Sequence, residues 1–157
     1  MFPFIDKIKK QGCDIEFAYA RTATPESYSE NRHFALALLK NRTDGCYYLK
    51  YYICKWRESS TRTQDDILLS DTKKASLLSE KANKIYPDDV QQLNGFDSYM
   101  CHFYQRDQKV YSWWVACPDI WNDMERVVQE LINEIPYPSP LHEVNFITVS
   151  KAFSGGI

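Results

Sequence analysis

Side chains able to act as nucleophiles, bases or metal ligands are few and scattered. There are five cysteines, Cys13, Cys46, Cys54, Cys101 and Cys117, and three histidines, His33, His102 and His142. A thiol–imidazole dyad needs its two groups within hydrogen-bond reach. Cys101 and His102 adjoin in a strand-like run, so their side chains point to opposite faces and do not pair with each other. The cysteines are odd in number and include no CxxC pair, so they read as reduced, buried thiols rather than zinc ligands or disulfides. Asp65-Asp66 and Asp88-Asp89 have the chemistry to hold Mg2+ or to do acid–base work, but adjacent acids in loops are ordinarily turn or surface residues. No phosphate-binding loop, dinucleotide fingerprint, nucleophile elbow or HExxH helix is present. The sequence assigns no catalytic residue, no metal and no cofactor.

Chemistry of recognition is better represented. Residues 46–56, CYYLKYYICKW, pack five aromatic side chains around two lysines. As a strand, Tyr47, Leu49, Tyr51 and Ile53 share one uncharged face, which most naturally meets helices. The alternate set is Tyr48, Lys50, Tyr52, Cys54 and Trp56. With helices on one side only, Tyr48, Lys50, Tyr52 and Trp56, joined by Trp113 from a second hairpin, form a partner-binding face of the kind interfaces enrich. The competing expectation is that the C-terminal segment or residues 57–70 fold over this face and make it core. A homodimer through it satisfies both. A second candidate site is a small-molecule pocket between sheet and helices, oriented by His102 or Arg106.

The elements that position these groups follow from periodicity. Residues 3–11 read as a short amphipathic helix with Phe4, Ile5 and Ile8 inward, ended by Gly12. DIEFAYAR alternates as a half-buried strand, with Ile15, Phe17 and Tyr19 on one face. RHFALALLK and the aromatic strand flank Asp44-Gly45, a hairpin signal. RESSTRTQDD is polar and gets no element. Residues 71–86 form a helix with Ala75, Leu78, Ala82 and Ile85 on one stripe, capped by Ser70 or Asp71 and stopped by Pro87. DSYMCHFYQ and VYSWWVAC make the second hairpin. A strongly amphipathic helix runs from about Pro118 to Ile135. The segment from about 136 is extended, and VNFITVS reads as a final edge strand. The expected class is α+β: one domain over 1–157, with a single antiparallel sheet of five to six strands in the order α-βββ-α-ββ-α, closed by that last strand and covered by helices on one face.

Of 157 residues, 44% are hydrophobic and 25% charged, so a folded core is expected. A net charge of −2 disfavours binding nucleic acid through its phosphates. The N-terminal apolar run is interrupted by Asp6 and Lys7, no stretch is long enough to span a membrane, and a cytoplasmic location is expected. No residue motif names a family. The element order is similar to that of class I type III secretion chaperones and of Mog1/DcrB-like domains, and the resemblance implies binding of other proteins. The resulting expectation is a non-enzymatic protein-binding module that masks or escorts a protein partner, such as a toxin or secreted effector, in the manner of an immunity protein or dedicated chaperone. The alternative is a small-molecule-binding domain or small enzyme with an aromatic-lined pocket.

Overall fold

The computed structural model describes residues 1–23, 32–55, 61–85, 99–114, 122–136 and 138–143. They form α1 (Ile5–Ile8), β1 (Cys13–Ala23), β2 (Arg32–Asn41), β3 (Tyr47–Lys55), β4 (Thr61–Leu68), α2 (Thr72–Asn83), β5 (Tyr99–Gln105), β6 (Val110–Trp114), α3 (Asn122–Asn133) and a 3-10 turn at Pro140–Glu143. The strands make one antiparallel sheet of six, ordered β4-β3-β2-β1-β5-β6. The class is α+β, as the sequence indicates. The expected final strand, Trp56, Asp88-Asp89 and Cys117 lie outside the described residues.

One face carries the large side chains. Phe17, Tyr19, Phe34, Leu36, Leu38, Leu49, Tyr51, Ile53 and Phe103 are buried there with Ala75, Leu78 and Ala82 of α2. Met124, Val127, Val128, Leu131 and Ile132 of α3 complete this core. Each buried Val, Leu, Ile, Phe or Met among them contributes roughly 1.5–3 kcal/mol through burial. Asp71 starts α2 by accepting the Lys74 N–H at 2.9 Å, and Lys74–Glu134 and Lys81–Glu130 ion pairs tie α2 to α3.

Three features depart from expectation. First, residues 61–68 form β4, so the order is α-ββββ-α-ββ-α, and Asp65-Asp66 lie in a strand rather than a loop. As an edge strand, β4 needs no apolar pattern on both faces, which is why its polar sequence conceals it. Second, Glu16 is an extra residue in a β-bulge, because the register steps from Ile15↔Leu39 to Phe17↔Leu38. The bulge inverts the alternation, placing Ile15 on the face opposite Phe17 and Tyr19. Third, α1 spans four residues instead of nine and packs on the face away from α2 and α3. Coverage by helices on one face therefore describes α2 and α3 and not α1.

Candidate functional site

The second face is floored by alanine. Ala18 lies opposite Ala37 and Ala20 opposite Ala35, and all four are fully buried. Following the register outward gives two rows, Tyr104–Ala18–Ala37–Lys50 and His102–Ala20–Ala35–Tyr52. Small residues two strands wide, between larger neighbours, make a trough along β1 and β2. The N-terminal segment fills it, with Phe2 and Ile8 buried against the alanines and Leu39.

Aromatic and cationic contacts fix this segment on both walls. The Phe2 ring meets Tyr104 edge-on at 5.9 Å between centroids. The Phe4 ring lies 4.9 Å from Tyr52 and 6.1 Å from His33. Phe4 reaches that position with φ of 62°, a left-handed conformation that is costly for a bulky residue and is offset by its ring contacts. Lys50 donates from Nζ to the Lys9 carbonyl at 2.9 Å. Lys7 lies over the Tyr52 ring at 5.9 Å and Lys10 over Tyr48 at 4.4 Å, both within cation–π range. Among the described residues the aromatic face of β3 is thus covered by the chain's own N-terminus. Residues 57–60 and 144–157, the cover expected from the sequence, lie outside the described residues.

Just beyond the trough, a third row crosses four strands: Ile15–Leu39–Tyr48–Leu68. Leu39 is buried, Ile15 and Tyr48 are half-buried, and Leu68 on the edge strand is 58% exposed. Tyr104, Val110, Phe4 and Ile5 are also only partly covered on this face. Lys10 lies over the Tyr48 ring of this row, Lys7 over Tyr52 and Lys50 against the Lys9 carbonyl, while Asp6 pairs with Lys9 at 3.7 Å.

His102 sits in the trough wall, its Nδ1 2.8 Å from Ser112 Oγ. Burial, and secondarily the chain's N-terminal ammonium, hold its pKa at about 4, so it is neutral at pH 7. Arg106 does not join it. Arg106 bonds Glu80 at 2.7 Å and faces Glu16 at 3.6 Å, while Asn83 accepts its backbone N–H. Gln105 donates to the Ala82 and Ile85 carbonyls, so this cluster closes the end of α2 against the β1 bulge. The two residues expected to orient one pocket therefore serve separate places.

Cys101 and Cys46 are not poised for nucleophilic chemistry. Cys101 is buried with its Sγ 3.1 Å from the Tyr19 hydroxyl, and burial pushes the thiol up to about 12. A hydrogen bond with Asp44 raises the thiol of Cys46. Among the described residues, no group of three or more His, Cys, Asp or Glu is placed to hold a metal ion, and no helix is long and apolar enough to cross a membrane. A groove of about 380 Å3 between α2 and α3 is lined by Ile85, Val127 and charged residues from both helices. It lies outside the sheet–helix layer where a pocket was expected.

Of the expected partner-binding residues, the structure brings Tyr48, Lys50 and Tyr52 to this face. Trp56 is outside the described residues, and Trp113 stands in β6 opposite Cys101. The alanine pairs and Phe2 were missed. Their signal was present as alternating Ala in both AYA and ALAL, since small residues repeated on one face of adjacent strands mark a close approach. Comparison of the chain with protein-family models, with curated proteins and with solved structures finds no match.

Proposed function

We propose that this chain is a non-enzymatic protein-binding module that masks or escorts a protein partner, of the immunity-protein or dedicated-chaperone kind. The observation that carries this reading is the row Ile15–Leu39–Tyr48–Leu68, which passes from buried Leu39 through half-buried Tyr48, with Lys10 over its ring, to Leu68 at 58% exposed, on a protein of net charge −2. An apolar row flanked by Lys10 and Lys50 is complementary to a protein segment that carries apolar and acidic side chains. Tyr48 and Lys50 belong to that surface, whereas Tyr52 supports it from beneath Phe4. A reducing, cytoplasmic setting is supported by Cys46 and Cys101, which form no disulfide among the described residues.

The test is affinity capture from lysate of the source organism, comparing wild type with Leu68→Glu and Tyr48→Ala by quantitative mass spectrometry. Leu68→Glu is expected to abolish capture of a stoichiometric partner with an unchanged Tm, because the site is exposed. Tyr48→Ala is expected to weaken capture at least tenfold. Capture that both variants retain in full would overturn the assignment of this face.

A further inference from the structure

The groove between α2 and α3 has a lining that selects a kind of ligand. The two helices run antiparallel, tied by Lys74–Glu134 and Lys81–Glu130. Beyond the second tie the last turn of α2 is fastened to β5 instead, since Gln105 donates to the Ala82 and Ile85 carbonyls at 3.0 and 2.8 Å. There the helices leave an opening of about 380 Å3, at the lower end of the roughly 300–1,000 Å3 usual for small-molecule sites. Lys81, Lys84 and Ile85 line it from the end of α2, at spacings of three and four that keep them on one helical face. Asp123, Arg126, Val127 and Glu130 do the same from the start of α3.

The apolar part of the lining is Ile85, which packs on the edge of the main core, and Val127, which belongs to it. Around them stand three cations and two carboxylates. Glu130 faces Lys81 at 3.9 Å and Asp123 faces Arg126 at 3.8 Å, which leaves Lys84 as the surplus positive charge. Glu80, one turn before Lys84, feels its ammonium, but Arg106 holds that carboxylate at 2.7 Å. A single surplus ammonium beside an apolar floor is complementary to one negative charge at the end of a hydrocarbon. The carboxylates of Asp123 and Glu130 disfavour multiply charged anions such as phosphates.

We propose that this groove binds a small monocarboxylate with an apolar body, such as an alkanoate, independently of the partner-binding face. The hydrocarbon lies on Ile85 and Val127, and the carboxylate meets Lys84. Lys84 is exposed, so the charge contact is made in water and contributes selectivity more than strength. The affinity is therefore modest, with a Kd of roughly 1–5 mM.

Titration of the full chain with sodium octanoate to roughly 30 mM, followed in methyl 1H–13C spectra, tests this over a range that brackets a millimolar Kd. The Ile85 and Val127 methyl signals should shift and saturate, while those of Leu36 and Leu49 on the sheet stay in place. Octylammonium, with the same chain and the opposite charge, should bind at these methyls at least tenfold more weakly. Lys84→Glu should reverse that order, and Lys84→Arg should preserve it. Both substitutions are at an exposed position, so both variants should fold as the wild type does. Unshifted Ile85 and Val127 methyls at the highest octanoate concentration would overturn the proposal. Equal binding of the two amphiphiles, unaltered by Lys84→Glu, would do the same.

Discussion

The two faces of this sheet use the same strands and differ only in which alternate residues they show, yet they carry layers of different thickness. Phe17, Tyr19, Phe34, Leu36, Leu38 and Phe103 hold α2 and α3 away from the backbone and fill the space between. Ala18, Ala20, Ala35 and Ala37 let ten N-terminal residues lie almost on the strands, with a single helical turn among them. Side-chain volume thus decides what each face accepts. Large residues need a broad, continuous partner such as a helix pair, while an alanine floor accepts a narrow strip held by a few rings. Cation–π contacts occur on both faces, as with Arg21 over Phe34 on the thick face and Lys10 over Tyr48 on the thin one, and the thin face also carries a buried histidine. Their responses to perturbation should separate accordingly.

Phe103 on the thick face should give the largest effect. It is fully buried and stacks on Phe17 at 5.8 Å between centroids. Phe103→Ala leaves a cavity among large side chains, and about 3–5 kcal/mol of stability should be lost in urea denaturation. A loss under about 1 kcal/mol would mean that α2 and α3 are not what holds this sheet.

On the thin face, His102 makes stability depend on pH. Burial keeps its folded pKa at about 4, below the ordinary 6.5. Between those values the unfolded chain binds a proton that the native chain does not. The contribution is therefore complete above pH 6.5, falls as pH drops, and is gone below about 4. His102→Gln should remove about 2–3 kcal/mol of the stability difference between pH 7 and pH 4. His33, lowered in the same direction by burial, and Glu80, lowered by its hydrogen bond with Arg106, contribute to slope that remains. Parallel wild-type and variant curves across that window would show that His102 takes up protons as readily in the folded state, contradicting its buried position.

What the sequence disclosed and what it hid divide along the same line. Alternation in β2 and β3, the Asp44-Gly45 turn and the stripes of α2 and α3 were legible because buried large residues impose a period. Tyr47, Leu49, Tyr51 and Ile53 do face α2 and α3. The bulge at Glu16 was hidden, since a single inserted residue leaves a plausible alternation on either side. β4 was hidden because an edge strand may be polar, as TRTQDDIL is. The site was half legible. Tyr48, Lys50 and Tyr52 share a face, but periodicity cannot say which distant segment covers it, and the Phe2, Phe4 and Ile8 contacts are long-range. Arg106 was misread because an exposed basic residue near a histidine in sequence carries no information about the bulge carboxylate it meets.

The sharpest test of the comparison is to make the thin face resemble the thick one. Ala37 is fully buried between Ala18 and Lys50, with no room for a longer side chain while the N-terminal segment is seated. Ala37→Leu should cost about 1–2 kcal/mol, near the lower end for overpacking, because a ten-residue strip can lift without disturbing α2 or α3. Its signature should be local. Trypsin should cut after Lys7, Lys9 or Lys10 much faster than in wild type, since cleavage needs the strip to leave the strands, while the unfolding transition of the rest moves little. If Ala37→Leu instead unfolds the protein as severely as Phe103→Ala, the N-terminal strip is part of one cooperative core. The contrast between a thick, structural face and a thin, separable one would then be lost.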